Sequence, residues 1–227
     1  MHTVITDLAR PDPELVSRFE GVPSTIASDV AEPGAMDAGI EPVYRDTELA
    51  GTALTVRAAP GDNLIIHKAI TMAEPGDVLV VDGDGYVETA YVGELMCASC
   101  RVHGLAGMVI DGAIRDREEI AAMEFPVYAR GVHPAGPSKR EPGSINVPVS
   151  CGGVTVEPGD LVVGDDDGVS VVRAADAEAA LERAREKRER EAELRDRVET
   201  GEYLYGLLGC DDVFERLNVT EPDGSTR

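Results

Sequence analysis

Arg115 and Asp116 stand side by side where the pattern of the chain changes from strand to helix. Upstream, Ala106-Gly107-Met108-Val109-Ile110-Asp111 reads as a buried strand, and downstream residues 116–123 read as a helix. The pair therefore falls at the carboxyl end of a parallel strand, the edge where open α/β sheets take their ligands. The helix start adds a fixed positive field. A guanidinium there can pair with a carboxylate or a developing oxyanion, and a carboxylate there can hold a hard divalent cation. The same spacing has a structural reading: Asp116 caps the helix, and Glu119 three residues on completes a capping-box-like pair. Spacing leaves both readings open.

A second helix start lies at Tyr91-Val92-Gly93-Glu94-Leu95-Met96. Its free backbone N–H groups could hold a carboxylate, and Gly93 would let a ligand come close to the backbone. It could equally be a helix whose acidic first turn suits the dipole. Other chemistry-bearing patterns are missing. There is no phosphate-binding glycine loop, no GxGxxG after a strand, no Gly-x-Ser-x-Gly elbow and no HExxH among the four scattered histidines. Asp165-Asp166-Asp167-Gly168 lacks the alternate spacing of a calcium loop and reads as a turn. Cys97-x-x-Cys100 lies in a helix-like stretch with no second CxxC, so both thiols read as small buried hydrophobes.

The surrounding elements form a strand–helix–strand rhythm that implies parallel pairing. Short helices are expected from Asp12-Pro13 and over 24–30. A strand follows at 52–58, a helix at 63–70, a strand at 77–82 and a helix at roughly 90–103 that Gly104 closes. Strands at 106–111 and 126–129 flank the helix at 116–123, residues 131–156 form loops and short strands, and 168–172 is the last strand. Glu74-Pro75-Gly76-Asp77 and Glu157-Pro158-Gly159-Asp160 echo each other, each before an apolar run, which predicts two similarly launched strands. Residues 174–200 are densely charged and helical. This divides the chain into an α/β domain over 1–175 and a helical extension over 176–227 with a frayed terminus.

Of 227 residues, 43 are acidic and only 21 basic, three of them lysines, for a formal net charge of −22. Such a surface repels phosphate backbones, so no nucleic-acid partner is expected. Acid excess with few lysines suggests salt adaptation, the self-repulsion being screened by concentrated salt. No apolar run approaches membrane-spanning length and no basic-then-apolar leader opens the chain, so the expectation is a soluble, cytoplasmic protein without a membrane partner.

Gly93-Glu94-Leu95-Met96, followed by Gly104-Leu105-Ala106-Gly107-Met108-Val109-Ile110-Asp111-Gly112-Ala113-Ile114-Arg115-Asp116, resembles the core signature of the RraA-like family. That family includes the 4-hydroxy-4-methyl-2-oxoglutarate aldolases and the regulator of RNase E activity A. The resemblance continues through residues 60–63, 75–82, 126–131, 152–160 and 164–169. It implies an α/β fold of the swivelling β/β/α sandwich type, with a parallel βαβ core and a charged C-terminal helical extension. It also implies a homotrimer, or a hexamer of two trimers, with sites between neighbours. The aldolase branch is class II and uses Mg²⁺ or Mn²⁺. Its motif is an acid, twenty intervening residues, Arg-Asp, and an acid three positions later. These fall on Glu94, Arg115, Asp116 and Glu119. Position 94 departs from the pattern, since the aldolases usually carry Asp there.

On this resemblance Asp116 is the metal ligand, and Arg115, Glu94 and Glu119 serve catalysis. Gly93, Glu94, Leu95, Met96 and Arg115 bind the substrate, and Asp29 lies nearby. The implied substrates are pyruvate-yielding 2-oxo acids such as 4-hydroxy-4-methyl-2-oxoglutarate or oxaloacetate. The competing reading is a non-catalytic protein-interaction regulator. Methyl transfer is disfavoured, because no glycine-rich strand-to-helix loop is present to hold S-adenosylmethionine.

Overall fold

The computed structural model describes residues 2–219, so the expected frayed terminus over 220–227 lies outside the described residues. The chain opens with α1 (Pro13–Ser17), α2 (Ser24–Val30), β1 (Pro33–Ala35), β2 (Glu41–Pro42), β3 (Leu49–Arg57) and α3 (Leu64–Ile70). The centre holds β4 (Asp77–Val92), α4 (Glu94–Val102), β5 (Gly107–Ile114), α5 (Arg117–Ala122) and β6 (Val127–Val132). Short strands β7 (Ser144–Ile145), β8 (Val149–Cys151) and β9 (Val154–Val156) follow, then β10 (Leu161–Asp165) and β11 (Gly168–Val172). Three helices end the described chain: α6 (Ala177–Glu199), α7 (Leu204–Leu207) and α8 (Cys210–Arg216).

The main sheet has the order β1-β11-β10-β3-β4-β5-β6-β2, with β7 joining β3. β3 to β6 are parallel, and the outer pairings are antiparallel. This mixed α/β architecture with a parallel core follows from continuous apolar runs buried on both faces. Along β4, Leu79 and Val81 pack with α3 and α4 residues such as Ile66 and Cys97. Val78 and Val80 point the other way, onto Met36, Val149 and Val156 near the β8–β9 hairpin. A third cluster joins Phe19, Ala27, Leu161, Val172, Ala177 and Ala180.

The two echoed turns are built alike. Gly76 and Gly159 take φ of 88° and 92°. Asp77 Oδ2 accepts from Glu74 N–H at 2.8 Å, and Asp160 Oδ2 from Glu157 N–H at 2.9 Å. Each aspartate also meets an arginine, Arg10 at 2.8 Å and Arg173 at 2.5 Å. The strands they launch, β4 and β10, lie on either side of β3.

Several strands run further than expected, β5 to Ile114 and β6 to Val132, and the largest departure is in β4. The strand begun at 77 does not stop at 82 but resumes through Ala90, Tyr91 and Val92, so α4 begins only at Glu94. Register shifts between Asp82 and Val92 absorb the intervening turn, where Asp84 and Gly85 take positive φ. Tyr91 is fully buried with its hydroxyl donating to Gly83 O at 2.9 Å, and that burial holds the strand in the ladder. The extension matters because it delivers Gly93 to the end of β5.

Residues up to Ala184 form one compact unit, which runs past 175 because Ala177, Ala180 and Ala184 are buried. From Arg185 onward a second unit is helical. It carries ion pairs one turn apart, Arg185–Glu189 and Lys187–Glu191, and an edge-to-face contact of Tyr205 with Phe214. Among the described residues no helix is long and apolar enough to cross a membrane.

Candidate functional site

Arg115 leaves the end of β5 with its backbone N–H donating to Val92 O at 3.0 Å, which ties it to the last residue of β4. Asp116 then turns the chain. Its backbone is left-handed, at φ 59° and ψ 43°, a conformation that costs an L-residue about 1 kcal/mol and that aspartate tolerates better than most. In that pose its side chain makes no capping bond to α5. Oδ2 instead accepts the Glu94 N–H, the first amide of α4, at 3.1 Å and lies 3.5 Å from Arg115 Nε. The capping-box reading is therefore not what Asp116 does: it caps the neighbouring helix. Glu119 is exposed on the first turn of α5.

Gly93 is required for space. Its backbone is extended, but a Cβ there would run into Asp116 Oδ2 and stand 3.0 Å from Arg115 Nε. Beyond it, the Met96 and Cys97 N–H groups both donate to Gly93 O, at 3.1 and 3.2 Å. The Leu95 N–H finds no acceptor among the described residues. One amide of the α4 start is thus left without an acceptor among the described residues, in the positive field of the helix end. The Leu95 side chain is exposed, whereas Met96 is buried with its Sδ 3.3 Å from Asn63 Nδ2. Met96 can therefore serve a ligand only through its backbone. Asn63 Nδ2 also donates to Tyr91 O at 2.8 Å, so the segment before α4 is fixed from below.

The Arg115 and Asp116 side chains remain 44% and 40% exposed, so the pair forms an open ledge. A cavity of about 380 Å³ lies at the opposite, amino ends of the strands, lined by Leu49, Ala106 and Gly164 among others. Its distance from the pair is set by the whole length of β5. Asp29 is on α2 beside β1 and β11, at the other flank of the sheet, so within one chain it does not join Arg115. Burial pushes the Cys97 and Cys100 thiols up to about 12, which keeps them neutral.

The sequence places residues 133–138 among loops and short strands but gives no sign that this loop meets Arg115. It packs along Arg115: a Cβ at Gly136 would stand 2.9 Å from Arg115 Nη1. No motif marks it. The only hint was its position just after β6, the strand next to β5. As a metal site the ledge is sparse. Among the described residues no three His, Cys, Asp or Glu side chains gather into a cluster. Asp116 does offer a hard, solvent-facing carboxylate, and Mg²⁺ is commonly held by one or two carboxylates with waters and substrate oxygens completing the shell. The residues fit a hydrated cation shared with a ligand, not a closed cage.

The profile of the RraA-like family, Aldolase/RraA, matches residues 24–171. A protein of Halalkalibacterium halodurans named "Putative 4-hydroxy-4-methyl-2-oxoglutarate aldolase" is 38% identical over 192 residues, 84% of this chain and 91% of that one. Among solved structures, RraAS2 of Streptomyces coelicolor is an unusual member of the RNase ES inhibitor RraA protein family. It superposes with a TM-score of 0.75 at 31% identity, covering 83% of this chain and all of its own. An uncharacterized protein from Pseudomonas syringae pv. tomato gives 0.77 at 25% identity over 87% of this chain and 98% of its own. The matched span contains α4, β5 and the Arg115–Asp116 ledge, and the chain belongs to the RraA-like family.

Proposed function

We propose that this protein is a divalent-metal-dependent lyase that cleaves pyruvate-yielding 2-oxo acids, with 4-hydroxy-4-methyl-2-oxoglutarate and oxaloacetate as its substrate class. The observation that carries the reading is the meeting of Arg115, Asp116 and the start of α4 within hydrogen-bond reach, open to solvent. The Leu95 N–H has a free donor for the substrate's 1-carboxylate. The Arg115 fork donates to the 2-oxo oxygen as it gains negative charge, which is where the barrier of the reaction lies. Asp116 would hold Mg²⁺ or Mn²⁺, which when bound acts as a Lewis acid toward the 2-oxo acid. Glu94 and Glu119, on the first turns of α4 and α5, orient the water that accepts the proton of the 4-hydroxyl. The C3–C4 bond then breaks and its electron pair passes into the pyruvate enolate, releasing a ketone from the 4-hydroxy acid, or carbon dioxide from oxaloacetate, whose C4 carboxylate has no proton to give up. Assembly into a trimer or hexamer, with a neighbouring copy closing the ledge, belongs to the same reading and is supported by the 79% exposure of Leu95 beside it.

The competing role is that of a non-catalytic protein-interaction regulator, and it draws on the solved relative RraAS2, which is described as a member of the RNase ES inhibitor RraA protein family. Pyruvate release from oxaloacetate, with Mg²⁺ and with excess chelator, separates the two. Metal-dependent release that Arg115→Ala abolishes supports the lyase. Turnover unchanged by chelator or by that substitution refutes it.

A further inference from the structure

The loop that carries Gly136 is held at both ends more firmly than a surface loop requires. At its start, the His133 N–H donates to Ile114 O at 2.9 Å, and the Ala135 N–H donates to His133 Nδ1 at 3.1 Å. In its middle, Ala135 O accepts the Ala90 N–H at 2.9 Å. At its end, Asp62 gathers it in. The Ser138 hydroxyl donates to Asp62 Oδ2, as do the Arg140 N–H at 2.6 Å and the Glu141 N–H at 3.1 Å. Ser138 also exchanges backbone bonds with its surroundings, its N–H to Gly61 O at 2.8 Å and its carbonyl accepting from the Asn63 N–H at 3.1 Å. Asp62 is buried, and its other oxygen accepts the Leu64 N–H at 2.9 Å.

This frame presses a residue with no side chain against the Arg115 guanidinium. The fork lies between two such positions: Gly93 at Nε, and Gly136 at Nη1, where a Cβ would stand 2.9 Å away. The backbone at Gly136 is not in the positive-φ region, so conformation does not demand glycine there. The close approach does. We propose, on the reading of Arg115 given above, that Gly136 is a positioning residue for the reaction. The Asp62-clamped loop sets where the Arg115 fork points, and Gly136 supplies the clearance that keeps the fork turned toward Gly93 and Asp116. Because the neighbouring atom is the far end of a flexible arginine, a methyl group at 136 moves the fork and leaves the fold intact.

The experiment compares wild type, Gly136→Ala and Gly131→Ala in Mg²⁺-dependent pyruvate release, thermal melting and crystal structures. Gly131 is a matched control, since a Cβ there makes an ordinary 3.8 Å contact with Val87. The expected result for Gly136→Ala is a kcat lowered about 10-fold or more with a smaller change in KM, a melting temperature within about 2 °C of wild type, and a displaced Arg115. Gly131→Ala stays near wild type. Wild-type kcat in Gly136→Ala overturns the proposal. If Gly136→Ala does not fold, Ser138→Ala decides, since it removes a loop anchor without adding volume: a lowered kcat supports the positioning role and an unchanged one overturns it. If wild type releases no pyruvate from any 2-oxo acid, the lyase reading falls. The displacement of the Arg115 fork in the Gly136→Ala crystal then still tests the loop's role, and an unmoved fork overturns it.

Discussion

Two arginine–aspartate pairs flank the end of β5, and they are put to opposite uses. In the first, Arg130 Nε donates to Asp111 Oδ1 at 2.5 Å, and Asp111 Oδ2 accepts the Gly152 N–H at 2.8 Å. The Asp111 side chain is 9% exposed, and Arg130 reaches on to Asp37 at 3.4 Å. In the second, Arg115 and Asp116 stand 3.5 Å apart at more than four times that exposure, and Asp116 Oδ1 has no protein partner among the described residues. In the first pair both carboxylate oxygens are taken up in joining β5, β6 and the β8–β9 turn. The second has kept its capacity for something that is not protein. Sequence shows both as Arg and Asp near one strand, and only their satisfaction tells structure from site.

Substitutions that swap these roles would break the comparison. The largest effect is expected at the open pair: Arg115→Ala lowers kcat for pyruvate release by about 10³-fold, roughly 4 kcal/mol of transition-state stabilisation, with the melting temperature nearly unchanged. Arg130→Ala does the reverse. It strands a buried carboxylate, costs about 3 kcal/mol and lowers the melting temperature by roughly 10 °C, while the folded protein keeps the turnover proposed for it. Equal losses of activity in the two variants, or an Arg115→Ala whose melting temperature falls as far as that of Arg130→Ala, would undo the distinction.

A finer probe is Gly93→Ala. The added methyl meets Asp116 Oδ2 and pushes the carboxylate off the Glu94 N–H. The expected outcome is a loss in kcat of about 10- to 100-fold, with a raised Mg²⁺ requirement read from the metal dependence of turnover.

Much of this was legible in the residues. The strand before Arg115, the helix after Asp116 and the closing Gly104 follow from local pattern, because apolar runs and end signals act over a few residues. The echoed Glu-Pro-Gly-Asp turns were legible for the same reason, and each resolves into one aspartate bonded back three residues. What stayed hidden depends on tertiary neighbours. Spacing leaves Asp116 open to capping its own helix or to serving a ligand, and nothing local says that a left-handed turn will aim it at Glu94, 22 positions away. The resumption of β4 after Asp84 and Gly85 required knowing that Tyr91 would be buried. The Gly136 loop reads only as part of a turn-rich stretch, since its importance lies in the lack of a side chain. Asp29, placed nearby by resemblance, lies at the other flank of the sheet in a single chain.

Asp62 sharpens the comparison, because it is a satisfied aspartate that serves the open pair at one remove. Burial alone would raise its carboxyl, but hydrogen bonds from Ser138, Arg140, Leu64 and Glu141 outweigh that and hold it at about 2, below the usual 3.8. A carboxyl whose folded value is depressed stabilises the fold fully above its unfolded value, and that stabilisation is lost as pH falls toward the folded value. The loss should therefore run between about pH 4 and pH 2. In urea titrations wild type loses midpoint concentration across this window, and Asp62→Asn, which cannot ionise, shows a shallower slope there. At neutral pH the same variant loosens the loop and lowers kcat several-fold, less than Gly93→Ala, because Arg115 keeps its backbone tie to Val92. A slope identical in both proteins would mean that Asp62 titrates normally, and the clamp would then be too weak to set the direction of the Arg115 fork.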